Sequence, residues 1–261
     1  MTNDISVAGA PIAPPIRKIG LSDLKDVLRK GLDDFNEKPS HLVFLGILYP
    51  LATVIAAFLA ARSQLLPLVF PLIAGFALLG PFAAVGLYEL SRRREQGLEM
   101  SWIDAAQVLW SPSIGAILIL SLLLCAIYLA WLVIALGIYW MIFGSEMPDS
   151  VMQFLRQVFT TPAGWTLIVV GCGVGFLFAV TVLAIAAVSF PMLLDRNVGV
   201  LTAIQTSARA FFSNPQTMLL WGLIVATLLF LGAIPAFAGL AVVMPVLGHA
   251  TWHLYRKVVG A

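Results

Sequence analysis

Apolar and polar positions alternate at helical spacing through residues 201–212. Asn214-Pro215 follows, and residues 216–255 then pass without an Asp, Glu, Lys or Arg before Arg256-Lys257. A membrane span needs about 20 apolar residues to cross about 30 Å of hydrocarbon, so this run is long enough for two. Gly232-Ala-Ile-Pro235 is the place for the chain to turn back. The pattern predicts a surface helix followed by a membrane hairpin, and it occurs twice more upstream.

The first copy opens with residues 22–35. Leu21, Leu24, Leu28, Leu32 and Phe35 fall on one face at three-and-four spacing, with Lys25, Asp26, Arg29, Lys30, Asp33 and Asp34 around the rest. Ser22 is the expected N-cap and Pro39 the stop. A helix this short and charged lies on a membrane and does not cross it. Spans are expected at 41–61 and 65–90, the second carrying Pro67, Pro71 and Pro81 and stopped by Arg92-Arg93-Arg94.

The second copy has a weaker surface helix at 100–110, with Met100, Ile103, Ala106 and Trp110 on one side and Ser111-Pro112 at its end. Its spans are expected at 113–143 and 163–194. Between them, residues 144–162 form a loop with an amphipathic piece of its own, bearing Val151, Phe154, Leu155 and Val158. Tyr139, Trp140 and Trp165 stand where an aromatic belt belongs. The third copy gives spans at 217–232 and 236–255.

The expected fold class is therefore all-α: a polytopic membrane protein with six transmembrane helices in three hairpins, each preceded by a cytoplasmic amphipathic surface helix. Residues 1–20 read as a disordered cytoplasmic tail and 21–261 as a single membrane domain, with approximate repeats 21–95, 96–198 and 199–261. Residues 1–16 hold no apolar run of the kind a secretory signal needs, so the first span is expected to do the targeting. In the return spans, Pro81 stands eleven residues before Arg92 and Pro245 eleven before Arg256. Pro191 lies closer to its stop at Arg196.

Composition agrees. Of 261 residues, 61% are hydrophobic and only 11% charged, and the mean hydropathy is +0.98. A soluble domain carries about 25% charged residues and needs them to cover its surface. Thirteen of the 15 Lys and Arg fall on one side of the expected spans, leaving only Arg62 and Arg156 on the other. The positive-inside rule then places both termini and all three surface helices in the cytoplasm. Cys125 and Cys172 lie in apolar runs and read as packing residues.

Candidate chemistry is sparse. The expected spans carry no charge at mid-depth, which argues against an ion-driven carrier. His249 and His253 stand four apart on one helix face and are weak candidates for a metal or haem. The plainer reading is an interfacial polar cluster of His41, Glu89, Asp195, His249, His253 and Arg256. Gly171, Gly173 and Gly175 read as a helix-packing face. No nucleophile with a base, no metal or other cofactor, and no nucleic-acid partner is expected. The partners expected are the lipid bilayer and a membrane protein or second copy of the chain. The function expected is a non-catalytic accessory or scaffolding subunit. A channel or carrier for a neutral or lipidic solute is the alternative, and a haem- or metal-binding redox subunit a weaker one.

Four stretches carry a family resemblance: Ile16-Arg-Lys-Ile-Gly-Leu-Ser-Asp-Leu24, Gly31-Leu-Asp-Asp-Phe35, Ser189-Phe-Pro-Met-Leu-Leu-Asp-Arg196 and Pro245-Val-Leu-Gly-His-Ala-Thr-Trp-His-Leu-Tyr-Arg256. In these the chain resembles the bacterial integral membrane family known as domain of unknown function 2189 (DUF2189). The resemblance implies a bacterial inner-membrane protein without an assigned activity. Some members of that family carry a cytochrome c oxidase subunit label, which implies association with an oxidase. A catalytic oxidase subunit needs several intramembrane histidines, and this chain has three in all.

Overall fold

The computed structural model describes residues 14–40, 63–99, 107–145 and 150–260, with isolated positions 43, 44, 46, 49, 101 and 148 between them. Most of the expected span at 41–61, His41 with it, and most of the expected surface helix at 100–110 lie outside the described residues. Every regular element described is helical.

Helix α1 is Leu21–Glu37. Ser22, expected as its N-cap, sits inside the first turn. Gly20 holds the cap position, and the Asp23 carboxylate accepts from the Gly20 amide at 2.9 Å. The buried face also differs from the leucine stripe. Leu24, Val27, Gly31, Asp34 and Phe35 are buried, whereas Leu21 and Leu32 are exposed. The cause is the partner: α1 packs lengthwise on the last helix, α11 (Leu240–Val259). A Cβ on Gly31 would stand 2.6 Å from the Val246 carbonyl oxygen and 2.7 Å from Ala250 Cβ. Only glycine admits a backbone that close.

The three prolines break the next stretch into pieces: a 3₁₀ turn Ser63–Leu68, α2 (Val69–Phe76), a 3₁₀ turn Ala77–Leu79, α3 (Gly80–Ala83) and α4 (Val85–Glu95). Each proline removes an amide donor and blocks the turn before it. On the facing helix α5 (Ile114–Phe143), the Trp131 indole donates to Pro71 O at 3.0 Å and Tyr128 OH to Leu72 O at 3.3 Å. Of the expected surface helix at 100–110, the last turn, Gln107–Trp110, is 3₁₀.

Ser150 caps α6 (Val151–Thr160), accepting from Gln153 N at 3.2 Å. Only Val158 of its expected inner face is buried, and Val151 and Leu155 are exposed. The expected fourth span is two helices, α7 (Pro162–Ala186) and α8 (Ser189–Asp195). The break falls just before Pro191, which cannot donate back to Ala187. Then come α9 (Val200–Ser213) and α10 (Pro215–Ala233), and a turn through residues 234–239 leads into α11. Ala236 and Phe237 carry positive φ there, so the reversal extends beyond the expected Gly232–Pro235.

Among the described residues, four helical stretches are long and apolar enough to cross a membrane: Leu66–Glu95, Ile114–Phe143, Pro162–Asp195 and Pro215–Ala233. Their apolar side chains, among them Val133, Val169, Phe176 and Phe230, stay exposed, as lipid-facing residues do. α11 is not one of the four, because its C-terminal half carries His249, His253, Arg256 and Lys257.

The core lies where α4, α8 and α11 meet. Tyr88, Phe190, Met192, Leu193, Trp252, Leu254 and Tyr255 are each at most 1% exposed and belong to one packed cluster there. Around this trio α1 packs on α11, α9 on α7 and α8, and the 107–110 turn on α4. Residues 14–20 form a strap held chiefly by Asn214, with Thr217 Oγ1 also donating to Ile19 O at 3.0 Å and Lys18 Nζ to Ser213 O. Asn214 accepts from Ile19 N at 3.0 Å and donates to Arg17 O at 3.1 Å. Arg17 N donates to Val258 O at 2.8 Å. Asn214→Ala removes the two strap bonds that Asn214 makes and is expected to cost about 1–3 kcal/mol. The strap should be cut sooner in limited proteolysis while the helix content stays unchanged.

Candidate functional site: a buried polar layer

The polar residues of α1, α4, α8 and α11 gather at one end of the helix bundle. The turn 63–68 and α6 meet at the other end, together with Arg156. The centre of the layer is Asp34, 3% exposed. α1 delivers it one turn beyond Gly31, so the close approach at the glycine seats the carboxylate. Four side chains surround it. The Arg94 guanidinium pairs with Oδ1. Ser91 Oγ lies 2.5 Å from Oδ2 and His253 Nε2 2.8 Å from the same oxygen. His249 Nδ1 lies 2.8 Å from Ser91 Oγ.

Proton counting orders this chain. Ser91 has one hydroxyl proton and gives it to Asp34, so its oxygen accepts from His249 Nδ1–H. His249 Nε2 is then left with a bare lone pair, buried and without a hydrogen-bond partner among the described residues. Burial acts to raise the Asp34 carboxyl, but hydrogen bonds from His253, Ser91 and Arg94 outweigh it and hold it below its ordinary value.

That shift fixes a sign. A carboxyl whose folded pKa is depressed contributes its stability in full above the unfolded value of about 3.9 and loses it as pH falls through the folded one. Thermal unfolding in detergent should therefore show stability that is flat near neutrality and falling in acid below about pH 4. Asp34→Asn should flatten that acid limb.

Two further knots extend the layer. Asp195 accepts from Tyr255 OH at 2.6 Å and from Arg256 Nη1 at 3.3 Å. Arg196 donates to Tyr255 OH and to Gly260 O. Glu95 takes the Trp252 indole N–H at 3.2 Å and Arg256 Nε at 3.1 Å. Glu89 holds Arg92 in a fork, at 2.7 and 2.8 Å. That pair borders a pocket of about 270 Å³ lined also by Arg93, Val108, Ser111, Pro112 and Leu194. At the edge, Lys257 bridges Asp23 and Asp26 at 3.1 and 3.0 Å. Hydrogen bonds to those two carboxylates raise the Lys257 ammonium above its usual value.

The expected cluster is thus divided. His249 and His253 share one knot with Asp34, Asp195 and Arg256 share another, and Glu89 stands with Arg92. His41 lies outside the described residues. Asp34, Ser91, Arg94 and Glu95 were not expected. The available signal was Gly31, since a glycine in the middle of a helix costs about 1 kcal/mol and marks a close approach. Of the three glycines expected at a packing face, among the described residues only Gly175 meets a neighbour, with Trp131 3.1 Å from where its Cβ would stand. Gly171 and Gly173 meet no neighbour within 4 Å there among the described residues.

In each knot a guanidinium neutralises the carboxylates. Arg94 occupies the side of Asp34 that a bound cation would need. No group of three or more His, Cys, Asp and Glu among the described residues could hold a metal ion. The arrangement ties four helices together by buried charge.

Neither a curated protein nor a solved structure matches the chain. A family model does, over residues 69–195, from α2 through α8. Of the stretches that carried the resemblance, Ser189–Asp195 falls within the match, and those at 16–35 and 245–256 lie outside it. Residues 69–195 are similar to DUF2189, a family described as predicted integral membrane proteins.

Proposed function

We propose that the chain is a six-span protein of the bacterial inner membrane, with both termini in the cytoplasm, acting as a non-catalytic accessory or scaffolding subunit. The four apolar stretches, residues 41–61 and α11 supply the six crossings. The observation that carries the reading is the filled axis. Where the return helices α4, α8 and α11 converge, seven large side chains of the described residues are buried in one packed cluster, and the nearby acids are neutralised by arginines of the same chain. A channel or carrier needs the opposite in both respects.

A three-unit plan supports the six-span count. α9 leans on α7 and α8, the return span before it, and the 107–110 turn leans on α4, the return span before that. α1 has no earlier unit and leans on α11, which closes the ring. Gentle detergent extraction from the native membrane, followed by identification of co-purifying chains, tests the function. A stoichiometric membrane-protein partner or a defined homo-oligomer is expected. Recovery of a monomer alone, together with solute flux in proteoliposomes, would overturn the reading in favour of a channel.

A further inference from the structure

α1 and α9 share an outward stripe that neither helix needs for folding. On α1 it is Leu21, Lys25, Arg29 and Leu32. On α9 it is Leu201, Gln205, Arg209 and Phe212, at the same successive spacings. All eight are exposed, and the four apolar ones are 45–73% exposed. Turning about α1 at 3.6 residues per turn, the order runs from the face buried on α11, through Leu28, Leu21 and Leu32, to Lys25 and Arg29, and last to Asp33 and Glu37. That is the order of a bilayer edge: protein, hydrocarbon, headgroup, water. α9 carries no acid, and Arg209 is its one charge. Among the described residues neither Lys25 nor Arg209 has an ion-pair partner.

We propose that these two stripes bind anionic phospholipid of the cytoplasmic leaflet, with the leucines and Phe212 entering the acyl boundary and Lys25, Arg29 and Arg209 holding the headgroups. Continuity favours lipid over a protein partner. Phe212 stands at the end of α9, and Pro215 starts α10, whose Leu219 and Leu223 are exposed along the lipid-facing side. The inference rests on the cytoplasmic placement proposed above, but it requires no partner protein.

The test uses the full chain, with Cys125 and Cys172 replaced by serine so that added cysteines report alone. Native mass spectrometry from mixed micelles of phosphatidylglycerol and phosphatidylcholine should show retained phosphatidylglycerol in excess. Each cation neutralised should lower that preference about fivefold, so Lys25→Gln with Arg29→Gln and Arg209→Gln should lower it on the order of a hundredfold. A fluorophore on Leu32→Cys should be quenched by lipids brominated on their chains. Equal retention of the two lipids, or a preference unchanged in the triple variant, would overturn the proposal. So would Leu32→Cys that resists quenching and cross-links to a second copy or a co-purified protein. A failed lipid preference leaves the accessory-subunit reading standing, whereas a wrong orientation would show first in the labelling of residue 156 described below.

Discussion

Asp34→Ala is expected to be the most damaging single substitution in the chain. It strips the carboxylate from Arg94, His253 and Ser91 at once and leaves a half-buried guanidinium with only the exposed Glu37 carboxylate 3.8 Å away. Breaking a buried pair from one side costs about 3–5 kcal/mol, because the surviving charge stays desolvated. The loss should appear as a large fall in the midpoint of thermal unfolding in detergent. Removing the cation as well, as Asp34→Ala with Arg94→Met, should recover part of the loss, since no uncompensated charge then remains. A double variant no more stable than Asp34→Ala alone would show that the uncompensated guanidinium is not what makes the single substitution costly.

Gly31→Leu should release α1 by a different route. The obstacle is the backbone of α11 at Val246 and Ala250, which cannot swing aside as a side-chain tip can. Overpacking of a tight contact costs about 1–3 kcal/mol, and more where backbone must move. Helix α1 would lift from α11, withdrawing Asp34 from its partners and parting Asp23 and Asp26 from Lys257. Limited proteolysis within residues 14–40 is the readout, and cleavage should rise sharply while the apolar helices stay protected. Gly31→Ala should fall between the two. Wild-type cleavage in Gly31→Leu would show that the close approach does not govern docking.

Much of the architecture was legible because lipid imposes a simple demand. Long uncharged runs must be helical in a bilayer, and the runs at 113–143, 163–194 and 217–232 became α5, α7 with α8, and α10 within a few residues. Prolines were legible as breaks but not in their consequences. Pro67, Pro71 and Pro81 divided one expected helix into five short pieces, and Pro191 divided another.

The polar layer was harder to read, for a physical reason. Periodicity ranks leucine above glycine and aspartate when it assigns an inner face, whereas α1 meets another helix through Gly31 and Asp34. The face thus turned by part of a helical turn, and Leu21 and Leu32 were left outside. A carboxylate paired across three helices gives no local signal, because its partners Arg94 and His253 lie 60 and 219 residues away. Glu89 was nearer to hand, since its partner Arg92 follows three residues later on the same helix.

Cysteine labelling in intact cells tests the central claim most directly. With Cys125 and Cys172 replaced by serine, Arg156→Cys on α6 and Lys25→Cys on α1 are each exposed to a membrane-impermeant maleimide. The account predicts that residue 156 reacts from outside without permeabilisation and that residue 25 reacts only after the membrane is opened. Labelling of both positions from the same side would contradict it.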